Sequence, residues 1–272
     1  MNRPRVFWGG VLVLLGTLFL LDNLGIIDIN FWGLLWPILL IVLGTALLYG
    51  AFFDSTQSAK MKEAKHVVIP IAQARQYKLN IGHGAGRLRI EAGAAQGELV
   101  NGHFIGGLDY NLSQKADVLK LKMKPPQDGW TQVALPWNWV RWHGLDWLVK
   151  LSHEVPLSIN VDVGANEVDL DLTYLHVVEL QVNMGANATK ISLPADAGYT
   201  DVKIDGGVTS VRLYVPEGVA ARIKLNNALT SNNINRSRFP RVDDVYQSPD
   251  YDTAANKVDI TVDMGLGSLT IS

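Results

Sequence analysis

A chain of 272 residues, 48% of them apolar, is long enough for a small membrane module plus one domain with its own core. Its 24 basic and 26 acidic side chains leave a net charge of −2 with no long basic run, which excludes a nucleic-acid surface, because a phosphate backbone demands clustered Lys and Arg. The absence of cysteine excludes disulfides, thiolate metal sites and a cysteine nucleophile, and leaves the compartment open.

The apolar residues crowd the first fifty-odd positions. Residues 6–27 hold Asp22 as their only charged side chain and residues 31–53 hold none, so each run, as a helix, covers roughly 30 Å of hydrocarbon. The break at Asp28-Ile29-Asn30 admits only a tight turn, which predicts an antiparallel two-helix transmembrane hairpin over residues 1–53. Trp8, Trp32 and Trp36 lie near run ends, and Gly9, Gly10, Gly16, Gly33 and Gly44 permit close helix contact. Asp22 reads as an interfacial residue ending the first helix. A signal peptide over residues 1–21 is the alternative, but no small-x-small cleavage site follows. Arg3 and Arg5 precede the first helix and Lys60, Lys62 and Lys65 follow the second, which predicts both termini in the cytoplasm.

After a polar linker at 54–65, residues 66–272 change period and read as an all-β repeat domain. A first copy of the pattern, three alternating apolar residues, a small residue, then more alternation, spans Tyr77, Leu79, Ile81, Gly82, Leu88 and Ile90. Inside it, Gly82-His83-Gly84-Ala85-Gly86 follows a strand but leads into Arg87-Leu88-Arg89-Ile90, which alternates like another strand. It is therefore a turn and not a phosphate-binding loop. Next comes a tryptophan cluster, Trp130, Trp137, Trp139, Trp142 and Trp147. It has three readings: a sugar-stacking platform, a membrane-interface belt, or a plug over the open first coil, the last being preferred. Trp137, Trp139, Arg141 and Trp142 form the candidate interaction surface, while Trp147, alternating with Val149 and Leu151, belongs to the core.

Regular copies follow over about 157–235, beginning at Ile159, Leu180, Val202 and Ile223, which are 21, 22 and 21 residues apart. Such a period predicts a β-solenoid with about 21–22 residues per coil, with a β-sandwich as the alternative. Asp162, Asp169, Asp171 and Asn183 would line its outside, and its coil ends offer a route to self-association. Residues 236–256, with Pro240 and Pro249, break the period and read as an inserted loop, most simply a solvated connection. A last copy, Ile260, Val262, Met264, Gly265 and Ile271, closes the chain as an atypical coil.

Nothing in the sequence assembles a catalytic centre. The six histidines are scattered without metal-ligand spacing, Asp169 and Asp171 lack the glycine-rich repeat of calcium-binding β-rolls, and no Gly-x-Ser-x-Gly elbow occurs. The expectation is a non-enzymatic chain with no cofactor or metal. The segments Leu20-Leu21-Asp22-Asn23-Leu24-Gly25, Phe31-Trp32 and Trp36-Pro37 resemble the membrane region of LiaI/LiaF-like proteins. Val155-Pro156-Leu157, Val163-Gly164-Ala165 and Asp169-Leu170-Asp171-Leu172 resemble the toast-rack β domain of the same group. The resemblance implies a bacterial envelope protein of the cell-wall-active antibiotic response type, in which such members restrain a membrane sensor kinase. The expected partners are the lipid bilayer and a sensor kinase or another envelope protein. A surface-displayed adhesion or glycan-binding solenoid is the alternative.

Overall fold

The computed structural model describes residues 64–126 and 145–272, which form a thirteen-stranded sheet. Among them no helix is long and apolar enough to cross a membrane, and both runs of the expected hairpin lie outside the described residues. The strands are β1 (Lys65–Pro70), β2 (Gln76–Ala92), β3 (Glu98–Ile105), β4 (Asp109–Lys115), β5 (Val118–Lys124), β6 (Leu145–Leu151) and β7 (Leu157–Asp171). After them come β8 (Val177–Ser192), β9 (Tyr199–Tyr214), β10 (Ala220–Ile234), β11 (Arg241–Val242), β12 (Val245–Gln247) and β13 (Lys257–Ile271).

Six of these strands, β2, β7, β8, β9, β13 and β10, are 15–17 residues long and pair in parallel along their whole length. A straight strand of 15 residues would run about 50 Å. Yet Val177 lies beside Leu157, and the chain returns there from Asp171 within a few residues that reach only about 20 Å. Each long strand must therefore fold back on itself. The bend is visible in the burial of β7, where Val161 and Val163 face inward, Gly164 and Ala165 both face outward, and Asn166 and Val168 face inward again. Two consecutive outward residues shift the phase of the period-2 pattern, and the inward residues of both arms join one core. The alternative of a Greek-key sandwich is set aside by the parallel pairing of these rungs.

The rungs do not stack in chain order. The last strand, β13, slots between β9 and β10, with Val262 beside both Ile204 and Leu225. The first copy, in β2, is a regular rung paired with β7, and the last, in β13, is a regular rung between β9 and β10, so neither is an atypical coil. Residues 236–256 are accordingly more than a solvated connection. They carry the chain back over one rung, add the β11–β12 hairpin to the first arm of β10, and bury Phe239 and Tyr251. Arg238 holds this segment by donating to the carbonyls of Val215, Pro216 and Val219.

At the bend, Gly84, Gly164, Gly185, Gly207 and Gly265 lie in one column. A Cβ on Gly164 would sit 2.4 Å from the Gly84 carbonyl oxygen, and one on Gly185 would sit 2.8 Å from that of Gly164. Real Cβ atoms do not approach backbone so closely, so Gly164→Ala forces the rungs apart and should cost about 1–3 kcal/mol, read as a lower thermal midpoint of the full chain in detergent. The same change at Gly84 meets no atom within 4 Å and should shift the midpoint little.

Candidate functional site

Trp137, Trp139, Arg141 and Trp142 lie outside the described residues, as does the proposed plug. Their point of attachment is defined. β5 pairs in parallel with the first arm of β2 and β6 with the second, so together they supply the two arms of a further rung, and residues 125–144 join them in the chain. Trp147 is fully buried on β6, as its alternation predicts.

At the bend of β2, β7 and β8 the buried polar groups form a ladder. The asparagine two positions past the corner glycine points inward, and the bend leaves backbone groups there for it to satisfy. Asn187 donates from Nδ2 to the Gly164 carbonyl at 3.1 Å, and its Oδ1 accepts the Asn166 N–H at 2.7 Å. Asn166 repeats the arrangement one rung up, donating to Gly84 O at 3.1 Å and His83 O at 3.3 Å. Its Oδ1 is left to accept from His83 Nδ1 at 2.7 Å. The imidazole therefore carries its proton on Nδ1, and Nε2 is a bare acceptor without a partner. His83 packs edge-on to Trp147 at 5.1 Å, and Phe104 also packs edge-on to the indole at 5.1 Å. The indole Nε1 is likewise unpaired. Sequence reading missed His83 because it sits in a glycine-rich turn pattern. The one available signal was parity: it continues the inward series Tyr77, Leu79, Ile81.

A second cluster ties residues 236–256 to the stack. Tyr251 and Tyr199 both donate to Asp259, at 2.6 and 2.9 Å. Arg222 lies 4.0 Å over the Tyr251 ring and 3.9 Å from Asp259, and donates to Gln247 at 2.9 Å. Burial and the Asp259 carboxylate push the Tyr199 hydroxyl up to about 12 and the Tyr251 hydroxyl up as well. Both phenols thus stay protonated as donors, and the cluster is a latch without a base or nucleophile among its tyrosines. Asp201, next along the same column, is raised by burial and by the neighbouring carboxylates of Asp259 and Glu179. The outward aspartates of the repeat are engaged in other ways. Asp162 accepts from Asn183 at 2.6 Å, Asp169 lies 3.8 Å from Arg89, and Asp171 accepts from Thr173 at 2.7 Å. Among the described residues no group of three or more acidic or histidine side chains is placed to hold a metal ion.

Bent parallel rungs stacked on a glycine–asparagine corner define an all-β domain of one distinctive class. Residues 56–214 match the family described as "N-terminal domain of toast_rack, DUF2154", and residues 6–48 match the "LiaI-LiaF-like transmembrane region". The chain belongs to the toast-rack family and is a LiaI/LiaF-like membrane protein. Its fold is similar to a crystal structure from Clostridium sporogenes ATCC 15579, described as a candidate cell adhesion protein, at a TM-score of 0.66 and 22% identity over 77% of this chain and 99% of that one. A candidate adhesin from Bacteroides fragilis NCTC 9343 aligns over 78% of this chain and 98% of its own, at 8% identity and a TM-score of 0.29, too distant to carry an argument. No curated protein matches the chain.

Two outcomes follow from the ladder. Asn187→Ala leaves the Gly164 carbonyl and the Asn166 N–H buried and unpaired, so the chain should lose about 2–3 kcal/mol, seen as an earlier denaturation midpoint. Asn187→Asp, of the same shape but with no donor for Gly164, should be no better, which separates the hydrogen bonds from packing. For His83, burial holds the imidazole below its ordinary 6.5, while the Asn166 hydrogen bond and the Asp146 charge oppose that only in part. As the pH falls through that value the unfolded chain takes up a proton that the folded domain resists, so the unfolded state binds more protons and stability drops on the acid side. The melting temperature should fall as the pH is lowered past about 6.5, and His83→Gln should flatten that fall.

Proposed function

We propose that this protein is a membrane-anchored, non-enzymatic regulator or scaffold of a bacterial envelope, or cell-wall, stress response, acting through protein–protein contacts. The observation that carries the reading is the pairing in one chain of a LiaI-LiaF-like transmembrane region at 6–48 with a toast-rack domain that begins at 56. So short a spacing tethers the domain close to the bilayer, where it meets other membrane proteins at high effective concentration. In this reading the membrane region is a two-helix hairpin with both termini in the cytoplasm, and the stacked rungs are a short β-solenoid of about 21–22 residues per coil. The partner is a membrane sensor kinase or another envelope protein. The polar side chains buried at the corner support a scaffold, since Asn166, Asn187 and His83 are spent on holding the bend.

Sidedness tests this directly, because the chain has no native cysteine. Ser248 looks like an exposed loop residue in the sequence, but it is 3% exposed and its hydroxyl accepts the Ala221 N–H, so it makes a poor reporter. Ser113, on the exposed strand β4, serves instead. With a membrane-impermeant maleimide, Asn23→Cys should label in intact cells and Ser113→Cys only after lysis. Labelling of Ser113→Cys in intact cells would overturn the orientation and bring forward a surface-displayed adhesion or glycan-binding module. Deleting the protein should raise an envelope-stress reporter, and an unchanged reporter would remove the regulatory reading.

A further inference from the structure

On the second arm, the outward cations of β2 and β6 sit beside carboxylates. Arg87 lies 3.6 Å from Asp146 and 3.3 Å from Glu167, Arg89 lies 3.8 Å from Asp169, and Lys150 lies 3.9 Å from Glu91. The first arm at the same end of the stack does the opposite. Lys120, Lys122 and Lys124 occupy alternate positions of β5, all exposed and about 7 Å apart. Lys78 of β2 stands directly beside Lys120, and Lys115 of β4 lies on the same outward face. The other strand neighbours of Lys78, Lys120 and Lys122 are Ser158, Ser113, Asn80 and Asn111. Among the described residues, Asp109 beside Lys124 is the one carboxylate in register with any of the five lysines. None of the five forms an ion pair with a described residue.

Like charges side by side destabilise a sheet, and Lys78 beside Lys120 is such a pair. A linear reading finds no basic run here, because Leu119, Leu121 and Met123 intervene. Those three point into the core and leave the lysines together on the outside. The carboxylates of the first arm stand farther along the stack, at Glu179, Asp201 and Asp259, so the face is positive at its β2 end in a chain of net charge −2. The chain also enters the domain at this end. β1 is the outermost strand there, and Lys65 at its start donates from Nζ to the Leu108 carbonyl at 3.2 Å, one residue before β4. The match to the transmembrane region ends at residue 48, and the stretch from there to Lys65 reaches at most about 60 Å when fully extended.

We infer that this face, formed by Lys78, Lys115, Lys120, Lys122 and Lys124, docks the β domain on anionic lipid headgroups of the bilayer that anchors the chain. Of the polyanions able to neutralise such a face, the bilayer is the one to which the chain is tied, and the tether keeps it at high effective concentration. Lysine suits the task, because its ammonium is a compact, strongly hydrated charge on a flexible stem and follows a fluid headgroup layer without a fixed geometry. The attraction grows with each lysine that reaches the surface and fades within a Debye length, about 10 Å at 0.1 M salt. The contact is therefore reversible, and Ser113, beside Lys120, stays open to labelling reagents. The inference rests on the transmembrane region alone, goes beyond the proposed regulatory role and holds on either side of the bilayer.

The test uses the full chain in lipid nanodiscs, made either of phosphatidylcholine alone or of an equal mixture of phosphatidylcholine and phosphatidylglycerol, and follows acetylation of individual lysines by mass spectrometry at low salt. Lys78, Lys120, Lys122 and Lys124 should react several-fold more slowly in the anionic discs, while Lys190 on the second arm reacts equally in both. Raising the salt to about 1 M, where the Debye length is about 3 Å, should remove the difference. Lys120→Glu combined with Lys122→Glu should abolish the slowing at Lys78 and Lys124 without lowering the thermal midpoint, since it also relieves the like-charge contact with Lys78. Equal rates in the two kinds of disc, or slowing that persists in the double variant, would overturn the docking. Slowing that is as large in the neutral discs would overturn it too, and would assign the face to a protein contact such as the carboxylates of a second copy.

Discussion

The architecture depends on the corner, where five glycines from five rungs lie within van der Waals range of one another's backbone. Parallel in-register stacking places equivalent residues of successive rungs one strand spacing apart, about 4.8 Å. Along the arms that spacing suits any side chain that points clear of its neighbour. At the bend the Cβ direction rotates into the rung above, and a Cβ at Gly164, Gly185, Gly207 or Gly265 would lie 2.4–3.0 Å from a carbonyl oxygen. The glycine column is therefore a packing requirement, distinct from conformational freedom. The asparagine ladder follows from it. The pairing skips each corner glycine, and Asn166 and Asn187 supply the donors that the freed carbonyls of Gly84 and Gly164 need.

In-register stacking has an electrostatic consequence as well, because a charge repeated at one position would face itself on every rung. The second arm near β2 avoids this by alternating sign, with Arg87 between Asp146 and Glu167 and Arg89 beside Asp169. These are exposed pairs worth little individually, and their value lies in what they replace. The first arm is less consistent, since Glu179, Asp201 and Asp259 follow one another before Arg222. Burial and the flanking carboxylates raise Asp201, and two phenols and Arg222 surround Asp259. The Tyr199–Tyr251 latch thus performs two tasks. It supplies hydrogen bonds to a carboxylate in that stack and fastens the segment that leads into β13.

Local pattern made much of this readable. Alternation of Ile159, Val161 and Val163, then Leu170 and Leu172, named the inward residues, and the small residue between marked the bend. The same parity placed Trp147 in the core. The order of the rungs was not readable, and the reason is physical. The long strands present much the same apolar pattern, and five of the six the same corner glycine, so apolar pattern alone hardly distinguishes β9–β10 from β9–β13. What decides is non-local. Lys257 N–H bonds to Gly198 O, the Gly198 N–H bonds to Asn256, and Tyr199 reaches Asp259 only when β13 lies beside β9. His83 escaped for a different reason. A histidine in Gly82-His83-Gly84 resembles a solvated turn, and only the Asn166 acceptor from another rung makes its burial tolerable.

The slot taken by β13 also determines which part of the molecule faces outward. Had the copies stacked in chain order, the last strand would have been the end rung. Instead Ser272 is bonded to the end of β9, its N–H to Leu213 O and its carbonyl to Val215 N–H. The end rung becomes β10, whose second arm carries no charged side chain. The same crossover segment that makes the slot reachable spends its β11–β12 hairpin on the first arm alone. The outermost rung is thus a consequence of topology: a stack closed by intercalation must leave an earlier strand at its end.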